Sequence, residues 1–134
     1  MPSARYLTIA GLLLASALGA SAAQAQPAGR TVVNLVFGDN RYDPKVIELH
    51  VGQEYLLHIT NPTVNKHGLE AKEFFATVTF PDWSKGRVKN GDLEVWPGQW
   101  NEVDFTPQTP GEYPMHSPDP MNQILGMTGK IVVH

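Results

Sequence analysis

From Thr31 to His134 no apolar segment repeats at the helical period over the length of an ordinary helix. The chain consists of short runs of alternating apolar and polar residues, each closed by Gly, Pro, Asn or Asp. Alternation at a period of two is the signature of a strand with one face buried and one face wet. Glu54 to Thr60 shows it most clearly: Tyr55, Leu57 and Ile59 fall on one face, Leu56, His58 and Thr60 on the other. The same reading predicts strands over Thr31 to Phe37, Val46 to Val51, Leu93 to Trp96, Trp100 to Thr106, Glu112 to His116 and Lys130 to His134. Phe74 to Phe80 reads as a further strand, with a short helical turn over Leu69 to Ala76 as the alternative. Asn61-Pro62 opens a polar loop that carries His67, Pro81 to Asp92 is a long polar loop, and Pro97-Gly98 is a tight turn. Short strands at this spacing predict an all-β, Greek-key antiparallel β-sandwich of seven or eight strands.

The N-terminus has a different character. Arg5 is followed by a largely apolar run from Leu7 to Leu18 and by the small residues Ala23-Gln24-Ala25. This is the pattern of a secretory signal peptide over residues 1–25, cleaved after Ala25, with a single domain over 26–134. The run is too short to cross a bilayer, and no later segment approaches that length, so no membrane insertion is expected after cleavage. The mature chain loses Arg5 and no acid, which leaves 9 basic against 13 acidic residues, a net charge of −4. That mildly acidic balance argues against nucleic-acid binding. Export to the periplasm would permit disulfides, yet the chain holds no cysteine, so core packing alone must stabilise it.

Chemistry concentrates near the C-terminus. After the initiator, the remaining methionines are Met115, Met121 and Met127, all in one segment that also holds His116. Thioethers are soft ligands and imidazole is intermediate, and together they suit copper, above all Cu(I). Met115 is in phase with Tyr113 and reads as core filling. Met127 lies in a loop between Gly126 and Gly129 and reads as a ligand, while Met121 fits either role. His116 is out of phase with Met115, so it joins a shared site only if the strand ends or twists there. His67 is free to point at a site at the end of the sandwich. His50 and His58 read as surface positions and His134 as incidental.

These residues resemble a known family. Pro110-Gly111-Glu112-Tyr113, the loop that follows, and Gly126-Met127-Thr128-Gly129-Lys130-Ile131-Val132-Val133 are similar to the metal loop of the cupredoxins. Val51-Gly52-Gln53, a strand ending in Asn61, then His67, and Val95-Trp96-Pro97-Gly98 agree in order with the same family. The resemblance implies a copper ligand at His67 and an axial ligand at Met127. It also places Ser117 at the position of the family's cysteine and Asn122 at that of its second histidine. With the thiolate gone, the expected metal set is His67, Met127, Met121 and His116. Such a site would be non-blue and poorly suited to fast electron transfer, because the colour and coupling of blue copper come from the Cu–thiolate bond.

His67-Gly68-Leu69-Glu70, followed by Glu73-Phe74-Phe75, also resembles cupredoxin-like proteins of bacterial ferrous-iron uptake. That likeness implies a periplasmic iron- or copper-handling protein or a membrane permease as partner. It implies iron as a possible substrate, with Glu70 and Asp119 as harder oxygen ligands in a secondary metal site. Three roles follow: a copper-binding protein of metal homeostasis, a copper-dependent ferroxidase partner, or a metal-free interaction module on the same fold.

Overall fold

The structure, a computed structural model, describes residues 29–134; the expected signal peptide lies outside the described residues. Ten strands form two five-stranded sheets packed face to face. The first sheet holds β2 (Arg41–Asp43), β1 (Thr31–Gly38), β4 (Tyr55–Thr60), β8 (Trp100–Pro107) and β6 (Val78–Thr79), in that order. The second holds β3 (Val46–Leu49), β10 (Thr128–Val133), β9 (Gly111–His116), β5 (His67–Glu70) and β7 (Asp92–Val95). Two one-turn helices, α1 (Lys72–Phe75) and α2 (Pro120–Ile124), sit in connections. Among the described residues, no helix is long and apolar enough to cross a membrane.

The chain passes repeatedly from one sheet to the other, so the alternating faces of both sheets close on a single core. Leu35 and Phe37 of β1, Leu57 and Ile59 of β4, Leu69 of β5 and Ile131 of β10 are all buried there. This is the β-sandwich the alternation predicts. The strands number ten rather than seven or eight, because β2, β5 and β6 are two to four residues long. Segments that short carry no periodic signal; their neighbours define them. Most pairings are antiparallel, but β1 runs parallel to β4 and β3 parallel to β10. Each parallel pair is joined through a strand of the opposite sheet or closed from far along the chain, a choice that local pattern does not encode.

Two local expectations change. The segment after β5 is the helical turn α1 followed by the two-residue β6, not a strand from Phe74 to Phe80. Phe74 and Phe75 are adjacent and both buried, which a strand would not allow on one face. Phe74 packs edge-on to Phe105 of β8, with ring centroids 5.3 Å apart, and against Tyr113 of β9 at 5.7 Å. His67 is not in the loop but begins β5, where pairing with Val95 of β7 fixes its direction.

Candidate metal centre

The site is built where β4, β5, β7 and β9 release their loops at one end of the sandwich. Asn61, the first residue after β4, is buried and ties this end together. Its side-chain amide donates to the Val95 and Asn65 carbonyls, both at 2.8 Å. Its Oδ1 accepts from the Thr63 backbone N–H at 3.1 Å and from the Thr63 hydroxyl at 2.7 Å. The loop is therefore held in a fixed curl that delivers the chain to His67.

Leu69 of β5 points into the core, so His67, two residues earlier, points the same way. It is only 4% exposed, with the Phe37 ring edge-on at 6.4 Å. Its Nδ1 lies 3.4 Å from Nδ2 of Asn122, and its Nε2 is buried without a partner. Neutral imidazole has one donor nitrogen and one acceptor nitrogen. If Nδ1 accepts from Asn122, the proton sits on Nε2 with nothing to receive it. If Nδ1 carries the proton, Nε2 has an idle lone pair. Either tautomer leaves this buried ring under-satisfied, a state native interiors rarely tolerate without a further ligand.

The C-terminal loop forms the other wall. Ser117 N–H donates to the Met127 carbonyl at 3.0 Å, and Met127 N–H donates to the Asn122 carbonyl at 2.9 Å. These bonds close the loop from Ser117 to Met127 into one unit with both side chains buried. Within it the Asp119 backbone N–H donates to Ser117 Oγ at 3.1 Å. Asp119 Oδ1 caps α2 by accepting from the Met121 N–H at 2.8 Å, and Pro120 supplies the fixed φ of the first helical residue. His67, Ser117, Asp119 and Asn122 together line a polar pocket of about 260 Å³. Gly68 lets β5 approach this loop, since a Cβ there would fall 2.7 Å from Cγ of Pro118.

The structure brings His67, Ser117, Asn122 and Met127 to one pole, with Met127 wholly buried. The other two expected copper ligands, Met121 and His116, do not line the His67 pocket. Met121 is 60% exposed on α2. His116 precedes Ser117 on β9 and so faces outward while Met115 and Ser117 face in. Its Nδ1 lies 3.0 Å from the Ser117 carbonyl, which also accepts from Gln123 Nε2 at 2.7 Å. Glu70 stands on the outer face of β5, held by Lys72 Nζ at 2.7 Å, whereas Asp119 borders the His67 pocket. Sequence reading gave Asn61 no role of its own; it entered only as a strand end before Pro62 and in the order of segments shared with the family.

Next to Glu70, Asp92 of β7 is the paired residue across the ladder, with Glu94 beyond it. Burial, then Glu94 and Glu70, raise the Asp92 carboxyl above the ordinary range, and its Oδ1 lacks a partner. The Tyr42 hydroxyl donates to the Gly68 carbonyl at 2.8 Å, and burial pushes its pKa upward.

A sandwich of two curled sheets with a buried histidine and a closed C-terminal loop at one pole defines the cupredoxin class. The chain belongs to the cupredoxin-like domain family, whose model matches residues 9–133. No curated protein matches it. Among solved structures it is similar to dithionite-reduced auracyanin from the photosynthetic bacterium Roseiflexus castenholzii, with 24% identity and a TM-score of 0.59, over 79% of this chain and 99% of that one. It is also similar to auracyanin A, a "blue" copper protein of the green thermophilic bacterium Chloroflexus aurantiacus, at 15% identity and TM-score 0.57, over 79% of this chain and 100% of that one. Auracyanin B matches at 14% identity and TM-score 0.55, over 78% and 88%. These likenesses show the fold.

The donor set decides what metal the pole can take. A blue site needs two imidazoles and a thiolate around copper with a weak axial ligand. Here the pocket supplies one imidazole, one hydroxyl and one amide, and Met127 of the same loop is buried in the core. Among the described residues, no three His, Asp or Glu side chains converge on a metal-sized point. The residues therefore do not fit blue copper. A borderline imidazole beside a loop that carries a thioether would favour Cu(I) over harder ions.

Proposed function

We propose that the chain is an exported, periplasmic copper-binding protein that holds Cu(I) at a thiolate-free site and serves metal homeostasis rather than fast electron transfer. The observation that carries this reading is the buried imidazole of His67, whose Nε2 has no partner, at the pole where Met127 is pinned and buried. His67 and Met127 would hold the ion as cargo, and their neutral borderline and soft donors would favour Cu(I). The partner is a periplasmic copper-handling protein. A link to ferrous-iron uptake is less well supported, because Lys72 neutralises Glu70 and Asp119 is engaged as the α2 cap.

Titration of the mature protein with Cu(I) under a competing chelator tests the reading. The wild type should take up one equivalent, and His67→Ala and Met127→Leu should each weaken uptake by at least about tenfold. Equal affinity in all three proteins would remove the copper function.

A second reading has an observation of its own. The same pole exposes Trp96, Trp100, Met121, Ile124 and Leu125, and Ile124 is 79% exposed. With no metal, that apolar surface would serve a protein-interaction module. The second reading predicts no Cu(I) uptake.

A further inference from the structure

The opposite end of the sandwich carries two more histidines. β3 and β10 run parallel, with Leu49 opposite Val133 and both buried. The next residues, His50 and His134, therefore project together from the outer face. Their ring centroids lie 5.6 Å apart with an interplanar angle of 38°. Both backbones are anchored: His134 N–H donates to the Leu49 carbonyl at 2.9 Å, and the His134 carbonyl accepts from Val51 N–H at 3.0 Å. His50 N–H donates to the Tyr55 hydroxyl at 2.8 Å. Glu48 shares this face, its Oε1 3.9 Å from Nε2 of His134.

We propose that His50 and His134 form a second metal site, at the pole remote from the loops, for a borderline divalent transition ion such as Cu(II). Two imidazole nitrogens bound to one ion at about 2.0–2.1 Å bring their ring centres to roughly 5 Å, close to the separation already present. A small rotation of exposed side chains completes the approach, and the anchored backbones lower the ordering cost. The two imidazoles hold the ion, and water fills its remaining positions. The Glu48 carboxylate adds negative charge beside it. Imidazole suits Cu(II), in contrast to the thioether-bearing loop pole, so the site does not depend on the Cu(I) reading.

The experiment is Cu(II) titration of the mature protein, followed by calorimetry and by nitrogen hyperfine structure in electron paramagnetic resonance. Wild type and His67→Ala should bind alike, with a two-imidazole signature. His50→Ala and His134→Ala should each weaken binding by at least about tenfold and leave the circular dichroism unchanged. Wild-type affinity in either single variant overturns the proposal. So does a nitrogen signature that disappears with His67→Ala instead.

Discussion

Two substitutions should turn the loop pole into a blue-copper centre: Ser117→Cys combined with Asn122→His. Ser117 is buried, its Oγ already accepts the Asp119 N–H, and its backbone is tied to Met127. A sulfur there would receive the same N–H, which favours the thiolate. Asn122 contacts His67 Nδ1 at 3.4 Å, so an imidazole in its place would face the first one across the pocket. Without metal the variant should be less stable. The larger sulfur in a packed position and the weakened Ser117–Asp119 bond together cost about 1–3 kcal/mol. For a domain of this size each kcal/mol lowers Tm by roughly 4–8 °C. With Cu(II) a thousandfold above Kd, binding adds about 4.1 kcal/mol and should lift Tm above that of the parent. Visible absorbance and thermal melting measure both effects. An intense thiolate-to-copper band should accompany the Tm rise, while the parent shows no such band. A folded variant that binds Cu(II) without that band, or fails to bind it, would refute the claim that the loop keeps the geometry of a copper cage.

Asn61→Ala removes four hydrogen bonds and leaves the Val95 carbonyl without its donor. A loss of about 2–4 kcal/mol in urea unfolding is expected, and a loss under about 1 kcal/mol would contradict the anchoring role. Asp92→Asn should raise Tm at neutral pH. Because the folded carboxyl has its pKa raised, its ionisation costs stability as pH climbs from the ordinary carboxylate range through the higher folded value. The Tm advantage of the variant should therefore shrink below that range, where Asp92 is protonated in both states; an advantage independent of pH would reject the cause.

The sequence by itself determined the fold class. Alternation in Glu54 to Thr60 and its companions dictates which side chains can be buried together, and a period of two leaves little choice but a sheet with one wet face. It also pointed to one loop, which holds Met127 and the positions of Ser117 and Asn122 that the family resemblance implies. Tertiary structure decided the rest. His67 is buried only because β7 pairs with β5 and Gly68 admits Pro118. His116 faces away because β9 stays regular to its last residue, where the ladder with β10 pairs His116 with Thr128. Phe74 and Phe75 form a helical turn because two adjacent rings both find core partners. His50 and His134 meet only through the parallel register of strands far apart in the chain. Each outcome depends on contacts between distant segments, whose energies exceed the weak local preferences that a single sequence expresses.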